Sequence, residues 1–164
     1  MELSQRVEIP LGAVLVWQAL NDPAILKQCL PGCEVFEPIR DGEFNITLLI
    51  KVGPVKARFK GEVKLSDVNP PTSYTLSGSG KGGVAGFAKG SATIRLEEKT
   101  AGSVTVMTYS VKANVGGKLA QLGARLVNGA ARKMANEFFS NFVRVICNDP
   151  DGELDIKLEN VEEA

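Results

Sequence analysis

The period of the hydrophobic pattern changes once along this chain, and that change limits the folds open to it. From residue 33 to residue 115, apolar and polar side chains alternate through run after run, with only short turns between. Phe44, Ile46, Leu48, Ile50 and Val52 alternate with Asn45, Thr47 and Lys51. Val55, Ala57, Phe59, Val63 and Leu65 alternate with Lys56, Arg58, Lys60, Glu62 and Lys64, the pattern of a strand with one face buried and one in water. Asp41-Gly42 reads as a tight hairpin, and Gly53-Pro54 and Asn69-Pro70-Pro71-Thr72 as further turns. Residues 73–80, 84–98 and 103–115 read as three more strands. No connection leaves room for a crossover helix, so the sheet is predicted to be antiparallel. From Lys118 to about Cys147 the spacing switches to three and four, through Leu119, Leu122, Leu126, Ala130, Met134, Phe138, Phe142 and Val145. That predicts one amphipathic helix of about 28 residues, about 42 Å long.

The first 33 residues fit the same plan. Leu3, Val7 and Ile9 mark a strand over 2–9. Pro10 suits a helix start, and Ala13, Val14, Trp17, Ala19 and Leu20 share one face of a short helix. Asp22 can cap a second helix with Pro23 in its first turn. That helix is expected to stop by Cys29-Leu30, because Pro31 disfavours helical geometry in the residue before it and Gly32 permits a turn. The fold class is therefore α+β. Two short helices follow strand one, and a bent antiparallel sheet of six to seven strands wraps a long C-terminal helix in the helix-grip arrangement. One domain is expected over 1–147, with an acidic tail over 148–164.

Charge and cysteine usage narrow the classes of function. No apolar run approaches the about 18 residues of a membrane span, and the N-terminus lacks the plan of a signal peptide. Three cysteines cannot all pair, which suits a reducing, cytoplasmic setting, with peripheral contact at the inner membrane face left open. After Asn148 there are seven acids and one lysine, so a zero net charge hides a basic body and an acidic tail. No carboxylate lies between Lys99 and Asn136. Lys118, Arg125 and Arg132, seven apart, form a polar stripe on the predicted helix, either a docking surface for an acidic partner or anionic lipid or simply a solvated face. The basic residues are not interleaved with exposed aromatics, so nucleic acid is not an expected partner.

Few residues can carry chemistry. Cys29 and Cys33 sit four apart, but the chain has no histidine and Cys147 is distant, so a zinc site lacks ligands and no metal is expected. A tight helix-to-strand turn with semi-buried thiols is the simpler reading, and a reversible disulfide the alternative. Without histidine there is no Ser-His or Cys-His pair. Tyr109 and Tyr74 are the only ionisable side chains expected to point inward, and a cyclase or dehydratase would have to use Tyr109. Gly116-Gly117-Lys118 hints at anion binding but reads better as a hinge into the helix, and Gly82-Gly83 as a second flexible point. Gly78, Gly80, Gly86, Ala88 and Gly90 fall on strands expected to face the helix. Small residues there bend a sheet or leave a void. The void reading gives a ligand cavity lined by Phe44, Leu48, Phe59, Leu76, Phe87, Met107, Tyr109, Leu122, Leu126 and Met134.

Pro10, Trp17, Asp22-Pro23, Leu26 and Pro31 resemble the general pattern of the START/Bet v 1-like (SRPBCC) ligand-binding superfamily. Four further segments look like the carbon monoxide dehydrogenase G-subunit family: residues 29–34 (CLPGCE), 52–56 (VGPVK), 86–90 (GFAKG) and 115–123 (VGGKLAQLG). The resemblance spans about residues 1–146. It implies a helix-grip fold with an internal apolar cavity and a non-enzymatic helper role for molybdenum carbon monoxide dehydrogenase or a related molybdenum hydroxylase. It also implies recruitment of that enzyme to the membrane and binding of its quinone acceptor, or of a lipid. Some members carry a C-terminal membrane anchor where this chain has its acidic run. No cofactor of its own is implied.

Overall fold

The computed structural model of the protein describes residues 1–148 and 157–160. Strand β1 (Glu2–Ile9) leads into helices α1 (Ala13–Leu20) and α2 (Pro23–Cys29). Six strands follow: β2 (Cys33–Arg40), β3 (Glu43–Val52), β4 (Val55–Asn69), β5 (Ser73–Lys81), β6 (Phe87–Thr100) and β7 (Val104–Gly116). Helices α3 (Lys118–Gln121) and α4 (Ala124–Ile146) and a short strand β8 (Lys157–Asn160) complete the chain. The strands form one antiparallel sheet in the order β2-β3-β4-β5-β6-β7-β1-β8. Alternation sets the register. Phe44 lies opposite Val63, Leu48 opposite Phe59 and Val52 opposite Val55, so the β3–β4 hairpin keeps its apolar residues on one face.

Three expectations need correction. The long helix is broken: Gly123 has φ +90° and ψ 153°, a region essentially reserved for glycine, so α3 and α4 are separate although the apolar spacing runs through both. Strand β6 starts at Phe87, not residue 84, because Gly83–Ala85 wind into a single 3₁₀ turn. The acidic tail is not uniformly tail. Residues 157–160 pair with β1, from Glu8 opposite Lys157 to Gln5 opposite Asn160. The remainder of the expected tail, residues 149–156 and 161–164, lies outside the described residues.

The core lies between the concave face of the sheet and α4. Val7, Ile9, Val16, Cys29 and Phe142 are its most buried members. Phe138 stacks on Phe142 with ring centres 5.6 Å apart, and Trp17 meets Tyr74 edge-on at 5.2 Å. Such aromatic pairs add about 0.5–1.5 kcal/mol beyond their buried area. Asp22 caps α2 by accepting from the Ala24 N–H at 3.0 Å, and Asn141 of α4 donates to the Cys29 carbonyl at 3.0 Å, pinning the end of α2 to the long helix.

Candidate functional site

The sheet and α4 do not close on each other completely. A pocket of about 380 Å³ remains between them. One row of its wall crosses five strands, from Leu65 through Leu76, Ala92 and Val111 to Leu3. The next row is Tyr74, Ile94 and Tyr109. Ala131, Met134, Ala135 and Phe138 of α4 face these rows, at the spacing of one helical face. Two of those four are alanines, which holds the helix side of the pocket open.

The lining is almost wholly apolar. Among the described residues no Asp, Glu, Lys or Arg side chain lines it. The Tyr109 hydroxyl donates to Gln5 Oε1, and Gln5 Nε2 donates to Asn136 Oδ1 at 3.4 Å, so the phenol is committed to β1. Burial pushes the Tyr74 and Tyr109 phenols well above their ordinary range. Neither is a proton acceptor near neutral pH. A molecule held here would gain from buried apolar surface, about 2.5 kcal/mol per 100 Å².

The pocket brings together five of the ten expected cavity residues: Phe44, Leu76, Met107, Tyr109 and Met134. Leu48 and Phe59 line an adjoining trough on the same face of the sheet. Leu122 packs instead with Val52, Phe59, Ala85 and Leu119 in a separate apolar cluster. Leu126 is 48% exposed at the rim of a more polar cleft of about 470 Å³. Phe87 is 49% exposed and lies on the outer face, its ring over Gly116. Its neighbour Ala88 points inward with Gly90, Ala92 and Ile94, and strand parity forbids both. Gly86 ends the 3₁₀ turn and is not a strand residue. Leu3, Phe36, Ile94 and Phe139 also line the pocket and were not anticipated as site residues. For Leu3 and Ile94, the parity of their own strands was the available signal.

Lys118, Arg125 and Arg132 are all exposed, but Lys118 belongs to α3, so the break at Gly123 removes it from the continuous helical stripe. Arg125 lines the polar cleft with Lys51, Lys133 and Glu137, and Met134 forms part of both cleft and pocket. Cys29 and Cys33 are thiols. Burial pushes Cys29 up to about 11, and Cys33 is raised by partial burial against the opposing pull of Lys27. The Cys33 thiol donates to the Val35 carbonyl at 3.4 Å. Among the described residues no three Cys, Asp or Glu side chains group to hold a metal, and no helix is long and apolar enough to cross a membrane.

The family described as the G subunit of carbon monoxide dehydrogenase (CoxG) matches residues 6–147. A conserved protein from Geobacillus kaustophilus is 30% identical, with a TM-score of 0.85 over 90% of this chain and 96% of the other. The Zhui aromatase/cyclase from Streptomyces sp. R1128 matches with a TM-score of 0.63 at 12% identity, over 90% and 94% of the two chains. Ara h 8.0201 matches with a TM-score of 0.62 at 14% identity, over 91% and 99%. The last two likenesses show the fold alone, and with the first they place the chain among START/Bet v 1-like helix-grip proteins. No curated protein matches the chain.

Proposed function

The chain belongs to the carbon monoxide dehydrogenase CoxG family, and on that premise we propose that it is a non-enzymatic accessory protein that binds an isoprenoid quinone or lipid between sheet and helix. In this reading it serves a molybdenum hydroxylase of the carbon monoxide dehydrogenase type at the inner face of the membrane. The observation that carries the reading is the pocket itself, about 380 Å³ of apolar lining whose ionisable side chains are two phenols of raised pKa. Such a site suits retention of an apolar molecule and lacks a general base. Protein purified from a quinone-producing host should release a quinone or lipid on solvent extraction, detected by mass spectrometry, and menaquinone should raise its Tm. An empty extract together with an unchanged Tm would sink the proposal.

A second reading is favoured by the cleft holding Arg125, Lys133 and Lys51 beside the pocket. There the protein is a docking module for an acidic partner or anionic lipid surface, and the pocket is incidental. Charge reversal at Lys118, Arg125 and Arg132 separates the two. Loss of partner recruitment with ligand binding intact supports docking, and intact recruitment refutes it. A cyclase or dehydratase using Tyr109 has least support, because that hydroxyl is bonded to Gln5.

A further inference from the structure

The trough beside the pocket has a volume of about 300 Å³ and is lined by strand residues. Ile46, Val63, Leu76, Ala92 and Val111 line both spaces, so one runs into the other. Its floor is nearly bare of side chains. Register sets Gly78 between Val63 and Gly90, and Gly80 between Gly61 and Ala88. Two of these four glycines are required by the backbone. A Cβ on Gly61 would overlap the Ser79 carbonyl oxygen, and one on Gly90 the Lys112 carbonyl oxygen. The other two are not required. A Cβ on Gly78 would meet the Glu62 carbonyl at 3.4 Å and Val63 Cγ2 at 3.5 Å, and one on Gly80 the Lys60 carbonyl at 3.7 Å. Those are ordinary contacts, and neither residue has a positive φ. Glycine inside a strand weakens it and packs nothing. At 78 and 80 the fold accepts that weakness without a backbone reason, and what it keeps is space.

We propose that the trough is the second compartment of the ligand site, and that Gly78 and Gly80 set the length of chain it accepts. The ligand class is a hydrocarbon or amphiphile with an extended chain that runs from the pocket across the glycine floor. The inference rests on the ligand-binding reading above and deepens it. Volume decides the length. At about 30 Å³ per heavy atom, the share of one water in the liquid, the pocket of 380 Å³ accepts about 13 heavy atoms and the trough of 300 Å³ about ten more. Geraniol, with about 11 heavy atoms, fits the pocket alone. Farnesol (about 16) needs part of the trough, and geranylgeraniol (about 21) needs most of it.

The test is calorimetric titration of these three alcohols into the wild-type chain and into a Gly78→Val, Gly80→Val double variant. Valine favours strands, and the variant's Tm is expected to be no lower than that of the wild type. Each buried methylene is worth a factor of about four and each step adds one isoprene unit, so wild-type affinity should rise about tenfold if only two of its carbons are buried and up to about a thousandfold if all are, from geraniol to farnesol and again to geranylgeraniol. The variant should keep its geraniol affinity within about twofold and lose both increments. Should it fail to fold, the Gly78→Ala, Gly80→Ala pair, whose Cβ atoms fit, is expected to blunt the increments instead. If the filled variant keeps the full length dependence, or the wild type shows none beyond geraniol, the trough is not part of the site and the pocket reading stands. If no alcohol binds either protein, the ligand-binding reading falls and this inference with it.

Discussion

Replacing Tyr109 by Phe isolates a buried hydrogen bond at the end of the pocket. Tyr109 is 6% exposed and Gln5 2%, and their hydrogen bond joins β7 to β1. The ring itself packs on Phe139 at 5.4 Å, a contact that Phe keeps. Packing is therefore constant, and the change removes a donor from a buried acceptor, Gln5 Oε1. Removing one partner of a buried pair costs about 1–3 kcal/mol, whereas replacing both by apolar groups of similar shape is nearly neutral. For a chain of this size about 2–4 °C is lost per kcal/mol, so Tyr109→Phe should lower Tm by about 2–12 °C. Urea melts followed by circular dichroism should show an earlier midpoint with an unchanged slope. Combining it with Gln5→Met should cost less than the sum of the singles, with a coupling of about 0.5–3 kcal/mol. Geranylgeraniol affinity should stay within about twofold, because the hydroxyl faces Gln5 and not the pocket. A Tyr109→Phe chain as stable as wild type, with additive double-variant effects, would refute this account, and a tenfold loss of ligand affinity would reassign the hydroxyl to the ligand.

Other outcomes follow from the same geometry. Phe142→Ala empties a fully buried ring site and should cost about 3–5 kcal/mol, a large share of a typical domain's stability, read as a much lower urea midpoint. Gly123→Ala should either lose about 1–3 kcal/mol, because its backbone lies in a region closed to alanine, or rewind α3 and α4 into one helix with a visible gain in helical circular dichroism. No change in either would contradict the break. Cys29 should resist iodoacetamide at pH 8 in the native protein, and labelling should rise only as pH climbs toward about 11, since the thiolate is the reactive form. The unfolded thiol titrates near 9.0, so between there and about 11 the folded chain holds a proton that the unfolded one has lost, and stability should fall as pH rises through that window. Rapid labelling at pH 8 would show that the turn opens.

The strand plan was legible because alternation and turn chemistry are local. Asp41-Gly42 and Gly53-Pro54 each bracket a hairpin, and the register between Phe44 and Val63 follows from them. What escaped was decided by backbone states that side-chain hydrophobicity does not report. Leu119, Leu122 and Leu126 keep helical spacing across Gly123, so apolar period alone cannot show the break. Phe87 follows a turn whose length decides the parity of everything after it, and the 3₁₀ turn put the phenylalanine outside and the alanine inside. Strand β8 is four residues long in an acidic context, and its partner is about 150 positions away, beyond any local signal. Half of the expected cavity residues line the pocket because alternation in β3, β5 and β7 puts Phe44, Leu76, Met107 and Tyr109 on the inner face of the sheet, and helical spacing puts Met134 on the facing side of α4.

The pairing of β1 with β7 also bears on the order in which the chain can fold. Strands β2 to β7 each pair with chain neighbours, and can grow hairpin by hairpin. Strand β1 instead waits for a partner whose register runs from Glu2 opposite Lys112 to Ile9 opposite Thr105. Closing so long a loop is slow relative to hairpin formation, so β1 docks late. During synthesis about 100 residues must follow it before β7 exists, an interval on the order of 5–20 s at about 5–20 residues per second. Through that interval Leu3, Val7 and Ile9 form an unpaired apolar edge. Gln5, in the middle of that inward face, interrupts it, and Glu2, Arg6 and Glu8 charge the other side, so the waiting strand is a poor template for another chain. The residue that later receives the Tyr109 hydroxyl thus guards the nascent chain first. Gln5→Leu loses the same buried hydrogen bond as Tyr109→Phe but also completes the apolar face of β1, so it should raise aggregation during refolding above both the wild type and Tyr109→Phe, measured as light scattering on dilution from urea. Scattering no greater than that of the wild type would deny Gln5 this earlier role.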